Sequence, residues 1–229
     1  MDDDAKRSAA RELAAAALAR GDATGWFEEL YATTPPEAIP WAELVPDPRL
    51  VEWADEHGLD GSGRQALTVG SGFGDDAEHL AGLGFAVVAF DIAPTAIRHA
   101  QLRFPSSRVR YVLADVLATP PQWYRAFDFV LEAYTLQVLP PELRPAAARG
   151  IAETVAPGGT VLVLCDGRDE HEEPGAMPWP LTAAEVVALF EPWLEPGDPE
   201  LLADDGRQPP TRRLRVVLRR PRDHHGQTG

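Results

Sequence analysis

The chain has 229 residues and a formal net charge of −15. That length suits one α/β domain with a sizeable core. A field so negative repels phosphate backbones and anionic membrane surfaces, which argues against nucleic acid or membrane partners. No apolar run reaches the roughly 20 residues of a membrane span. The acidic start at Met1 is unlike a secretory signal, and Cys165 alone can form neither an intrachain disulfide nor a cysteine metal cluster. The expectation is a cytoplasmic protein, monomer or homodimer, acting on a small molecule.

In chain order, residues 8–20 read as a helix, with Ser8 as N-cap and Gly21 as the stop. Residues 22–63 read as irregular and rich in aromatics and proline, with a short helix at 48–57. Strands follow at about 66–70, 85–90, 109–114, 127–132 and 160–165, with one more at 213–219. The first five are apolar nearly throughout, as parallel strands covered on both faces should be. Helices at about 75–83, 94–103, 141–155 and 182–191 alternate with them. Pro94 suits a first helical position, and Thr182 with Glu185 fits a capping box. Pro157-Gly158-Gly159 reads as a turn, and residues 222–229 as a frayed tail. Such alternation means a doubly wound sheet that binds ligands beyond the carboxyl ends of its strands.

The glycine loop after the first strand is Gly70-Ser71-Gly72-Phe73-Gly74, followed by Asp75 and Asp76. Glycines there allow tight turning and close backbone approach. Asp91 ends the second strand, where a carboxylate can accept from both ribose hydroxyls of an adenosine, with Ile92 beside it. The dinucleotide fingerprint places its third glycine three residues after the second; here Gly74 is only two after Gly72. Asp75 and Asp76 would oppose a diphosphate and suit a cofactor with a sulfonium and an ammonium group. The loop therefore favours S-adenosyl-L-methionine over NAD, and a ligand-free turn is the bland alternative. Asp115 ends the third strand, placed to accept from an adenine amino group, with the Val116 N–H for a ring nitrogen. Glu132, Tyr134 and Thr135 bring polar groups to the end of the fourth.

Taken in order, residues 64–165 resemble the class I S-adenosylmethionine-dependent methyltransferases. A closer resemblance, over residues 25–190, is to the thiopurine and thiocyanate (thiol) S-methyltransferase branch. It rests on Gly25-Trp26, Pro40-Trp41 and Pro46-Asp47-Pro48, on Leu139-Pro-Pro-Glu-Leu-Arg144-Pro145, and on His171 with Pro174-Gly-Ala-Met-Pro178-Trp179-Pro-Leu181. The resemblance implies a Rossmann-like, mostly parallel seven-stranded sheet, with a lid at 1–63 and a core at 64–221. It also implies Trp26 and Trp41 as cofactor or lid residues and Pro178 and Trp179 as pocket wall; Tyr134 and Thr135 stand where the branch varies, and they are expected with Tyr31 around the acceptor. Ser71 departs from the Gly-Cys-Gly often found in the branch, and the segment from His171 to Pro178 is longer than usual.

The function this implies is in-line methyl transfer to a thiol of a small molecule, with Tyr134 and His171 orienting the nucleophile or taking its proton. A thiol of pKa about 8.5 is already partly ionised at neutral pH and needs little help from a base. The alternatives are O- or N-methylation of a specialised metabolite, a non-catalytic binder of S-adenosylmethionine, and an NAD-dependent oxidoreductase. Several residues also have plainer readings. Tryptophans beside prolines often anchor packing, and Cys165 reads as a small buried hydrophobe. His57, His79 and His99 read as surface residues, and His224-His225 as too short for a metal site. Asp166–Glu173 reads as a mobile loop despite its metal-like composition.

Overall fold

The computed structural model describes residues 3–204 and 211–223. Strands β1 (Gln65–Val69), β2 (Ala86–Asp91), β3 (Arg110–Leu113), β4 (Phe127–Ala133) and β5 (Val155–Asp166) are parallel, in the spatial order β3-β2-β1-β4-β5. Beyond them come β6 (Glu195–Pro196), β7 (Glu200–Asp204) and β8 (Thr211–Arg219). β8 runs antiparallel to β5, from Thr160 opposite Arg219 to Asp166 opposite Arg213. Its other side pairs with both β6 and β7. The sheet thus has eight strands where seven were expected, because the two short ones share its last position. Both are too short to stand out: β6 has two residues, and β7 has only Leu201-Leu202-Ala203 between Glu200 and Asp204.

Alternation along the strands divides the core between the two faces of the sheet. Leu67, Val69, Val88 and Phe90 pack with Ala147, Ile151, Val186 and Phe190, which belong to α6 (Arg144–Thr154) and α7 (Ala183–Phe190). Ala66, Val87, Ala89 and Phe129 face the other way, against α3 (Pro48–Glu56) and α4 (Asp75–Gly82). Helix α5 (Pro94–Arg103) begins at its proline, and the Thr182–Glu185 capping box opens α7. A third cluster joins α1 (Asp3–Ala19) and α2 (Gly25–Thr33) to Phe73, Ala93 and Ala96 above the strand ends.

Three local expectations are corrected. Ser8 does not cap α1, which begins at Asp3; acidic residues in a first turn complement the helix dipole. α2 lies within the stretch read as irregular, and its buried Trp26 and Leu30 are one turn apart on its inner face. Pro157-Gly158-Gly159 lies inside β5, where the register with β4 shifts between Phe127 and Phe129. Among the described residues, no helix is long and apolar enough to cross a membrane.

Candidate active site

A cleft opens over the carboxyl ends of β1, β2, β3 and β4, roofed by α1, α2 and the residue 40–47 stretch. The glycine loop forms its floor. Gly70 and Gly72 have φ of 58° and 51°, a left-handed conformation that costs a side-chain-bearing residue about 1–2 kcal/mol. A Cβ at Gly70 would lie 2.3 Å from Thr135 Oγ1. The Ser71 N–H donates to the Phe90 carbonyl at 2.8 Å, which ties the loop to β2. Asp91 is 5 % exposed and accepts from the Gly72 and Ala93 N–H groups, both at 2.9 Å. Burial pushes its carboxyl up to about 6, against the lowering effect of those hydrogen bonds. It is therefore ionised at neutral pH, and each oxygen keeps a lone pair for a ribose hydroxyl.

Ile92, Asp115, Val116 and Thr135 also line the cleft. Asp115 Oδ1 accepts from the Leu117 N–H at 2.8 Å, which fixes the carboxylate at the end of β3. Asp75 and Asp76 line the cleft too, but neither is a bare charge. Arg103 holds Asp75 in a two-pronged ion pair at 2.7 Å and donates to the Phe73 carbonyl at 2.9 Å. Asp76 accepts from the Asp47 N–H at 2.7 Å, and its burial pushes the carboxyl up to about 7. Gly74 is not in the lining. It caps α4 at φ 91°, and a Cβ there would lie 2.4 Å from Tyr111 Oη, so packing is what requires the glycine.

The opposite wall is aromatic. Phe27, Tyr31 and Trp41 line it, and Trp41 Nε1 donates to Tyr31 Oη at 2.9 Å. Trp26 does not reach the cleft. It is 1 % exposed and stacks on Phe27 at 3.9 Å, so it supports the wall from behind. Pro178 lines the cleft, whereas Trp179 turns away and packs under the Arg144 guanidinium at 5.5 Å. Glu132 is also outside the lining. It is fully buried, and its Oε1 accepts from the Thr135 and Leu136 N–H groups at 2.8 Å, capping the turn that follows β4.

At the far end, Tyr134 sits at φ 62°, a conformation whose strain of order 1–3 kcal/mol is typical of functional positions. Its hydroxyl donates to Asp47 Oδ2 at 2.6 Å, while Asp47 Oδ1 accepts from the Arg49 N–H and caps α3. Burial raises the phenol's pKa and the Asp47 carboxylate adds to this, so Tyr134 stays neutral. The Arg213 guanidinium lies 5.0 Å from the centroid of its ring and pairs with Asp166, which Gln137 also holds. His171 is exposed in the loop after β5, outside the cleft. That loop, read as mobile, is tied by Arg168 to Glu185 and by Arg212 to Asp169 and Glu172. Cys165 is buried as expected, but His79 and His99 are half-buried, and His99 stacks on Phe73. His224 and His225 lie outside the described residues.

Sequence reasoning missed Asp47, Gln137, Asp166 and Arg213 as site residues. Asp47 had a signal in Pro46-Asp47-Pro48, quoted for its motif but not for its side chain. Arg213 sits on β8, and only the strand order brings it beside Tyr134.

Residues 66–159 match a family described as a methyltransferase domain. A thiocyanate methyltransferase of Arabidopsis thaliana is 29 % identical over 164 residues, covering 70 % of this chain and 68 % of the relative. These matches support a class I S-adenosylmethionine-dependent methyltransferase. The chain is also 27 % identical over 144 residues to a 2-heptyl-1-hydroxyquinolin-4(1H)-one methyltransferase of Mycobacteroides abscessus; the match covers 60 % of this chain and only 62 % of that relative's length. A structure described as the conversion of a disulfide bond into a thioacetal group during echinomycin biosynthesis superposes with a TM-score of 0.70 at 22 % identity, over 87 % of this chain and 94 % of that one. The N-methyltransferase NodS of Bradyrhizobium japonicum, solved with S-adenosylhomocysteine, gives a TM-score of 0.66 at 20 % identity, over 87 % of this chain and all of that one. These likenesses establish the fold. A [4+2]-cyclase shares it with a TM-score of 0.64 at 17 % identity, over 76 % of this chain and 80 % of that one, so the fold does not by itself choose a reaction.

The cleft fits S-adenosyl-L-methionine, whose demethylated product the NodS structure holds. Carboxylates outnumber guanidiniums in the lining, a field that attracts a sulfonium and an ammonium and opposes the diphosphate of NAD. Asp91 and Asp115 stand at adjacent strand ends, as an adenosine requires.

Proposed function

We propose that the chain transfers a methyl group from S-adenosylmethionine to the sulfur of a small-molecule thiol. The observation that carries this reading is the far end of the cleft. There the Tyr134 phenol is bonded to Asp47, and among the described residues no histidine or lysine lines the cleft. Such a site gives modest help to proton removal, which suits a nucleophile that ionises readily. The Arabidopsis thiocyanate methyltransferase supports the choice of sulfur.

When bound, S-adenosylmethionine supplies an electrophilic methyl on a sulfonium, which leaves as a neutral thioether. In this reading the chain mainly binds and aligns, an effect that can supply several kcal/mol of the barrier reduction. Asp91 holds the ribose, Asp115 and the Val116 N–H hold the adenine, and the Gly70-Ser71-Gly72 backbone lies under the cofactor. Phe27, Tyr31 and Trp41, carried by the residue 1–63 lid, exclude water from the reacting atoms. Tyr134 Oη accepts the thiol proton as its own passes to Asp47, so sulfur attacks as thiolate and Asp47 ends protonated. His171 has no part in this step.

A second reading has its own support. Asp76, with its carboxyl near 7, lies directly behind Asp47. That pair could serve an acidic hydroxyl on a planar heteroaromatic, and the Mycobacteroides relative is named for such a compound. Single-turnover assays with thiophenol and with an N-hydroxyquinolone decide between the readings. Faster methylation of thiophenol, slowed at least tenfold in Tyr134→Phe, supports the first. Turnover of the hydroxyquinolone alone overturns it.

A further inference from the structure

Most of the lining carboxylates come from the strand ends and the residue 43–47 stretch, whereas Arg7 and Arg11 come from α1. These two are one turn apart, so they share a face of the helix. Arg11 Nε donates to the Met177 carbonyl at 2.6 Å, which anchors this face to the loop after β5. Arg7 is half-buried and makes no side-chain hydrogen bond or ion pair among the described residues. Its donors are open to a ligand in the cleft, and a planar fork of donors suits a carboxylate.

We propose that Arg7, on the helix face that Arg11 ties to Met177, recognises an anionic group on the methyl acceptor, so that the substrate is a thiol carrying a carboxylate. This rests on the methyltransferase reading of the same cleft. Its location is what favours the acceptor over the cofactor's own carboxylate. The adenosine-holding groups lie over β2 and β3, while the Met177 anchor belongs to the loop after β5, on the far side of β1 and β4. At a net charge of −15 the chain as a whole repels an anion, so recognition requires a cation inside the cleft.

The test compares 2-mercaptobenzoate with thiophenol in the full chain and in Arg7→Gln and Arg7→Lys. The expected result is a kcat/KM ratio favouring the carboxylate, cut about tenfold in Arg7→Gln and largely retained in Arg7→Lys. Affinity for S-adenosylhomocysteine, by calorimetry, should move less than about twofold. An equal loss for both thiols overturns the proposal, and so does a loss of S-adenosylhomocysteine binding, which would assign Arg7 to the cofactor. If neither thiol is methylated, the thiol reading fails, and calorimetry of the two thiols on the S-adenosylhomocysteine-loaded protein still tests Arg7. Weaker 2-mercaptobenzoate binding in Arg7→Gln supports the site, and unchanged or absent binding overturns it.

Discussion

Replacing Asp91 with asparagine should move stability and cofactor affinity in opposite directions. Burial holds the folded-state carboxyl at about 6, above its ordinary value of 3.8. Between these values the folded chain holds a proton that the unfolded chain has released, so stability falls as pH rises through the window. About two pKa units correspond to about 3 kcal/mol, lost to the wild type above pH 6 and spared in Asp91→Asn. The asparagine keeps one acceptor for the Gly72 or Ala93 N–H and loses the other, which returns about 1 kcal/mol. Urea unfolding from pH 4 to 7.5 should show Asp91→Asn gaining on the wild type by about 2–3 kcal/mol across that window. Asp76 and Glu132 also have raised pKa values, but both are present in each protein and cancel in the difference. Binding should go the other way. Losing two charge-assisted bonds to ribose hydroxyls weakens S-adenosylhomocysteine by about 2–4 kcal/mol, or about 30- to 1000-fold. A stability difference that stays flat with pH would refute the burial argument. Unchanged affinity would refute the ribose assignment.

Three further outcomes follow from the geometry. In a cycle of Tyr134→Phe, Asp47→Ala and the double variant, urea midpoints should give a coupling of about 1.5–3 kcal/mol for the 2.6 Å bond; additive losses would mean the bond contributes nothing. Gly74→Ala meets both φ 91° and a Tyr111 Oη at 2.4 Å, so it should destabilise the fold by about 2–4 kcal/mol in the same assay. Arg103→Ala should lower the melting temperature and weaken S-adenosylmethionine only modestly, because Asp75 keeps its place at the start of α4; a large affinity loss by calorimetry would show that the ion pair shapes the glycine loop.

The parallel core was legible because buried strands are apolar runs and their helices start with recognisable caps, as Pro94 and Thr182 show. Gly70, Gly72, Asp91 and Asp115 were legible as cleft residues because they stand at the carboxyl ends of three adjacent parallel strands, β1, β2 and β3. Trp26 was misplaced because sequence shows an aromatic's neighbours but not the direction of its side chain on α2. Glu132 was misplaced because a strand-end carboxylate can turn inward to cap the next turn as readily as outward to a ligand. Tyr134, Asp47 and Arg213 come from three distant stretches of chain, and their meeting depends on β8 lying against β5, which no local pattern encodes.

The strand order has a consequence for assembly. β8 is last in sequence, yet β5 flanks it on one side and β6 and β7 on the other. Among the described residues β6 and β7 pair with β8 alone, so they join the sheet only through it. Until β8 docks, Asp166 lacks Arg213 and the Tyr134 ring lacks its cationic cover. Non-local pairing of this kind is slow to form. The Tyr134 end of the cleft is thus completed only once β8 has docked on β5, whereas the ends of β1, β2 and β3 need no contact with it.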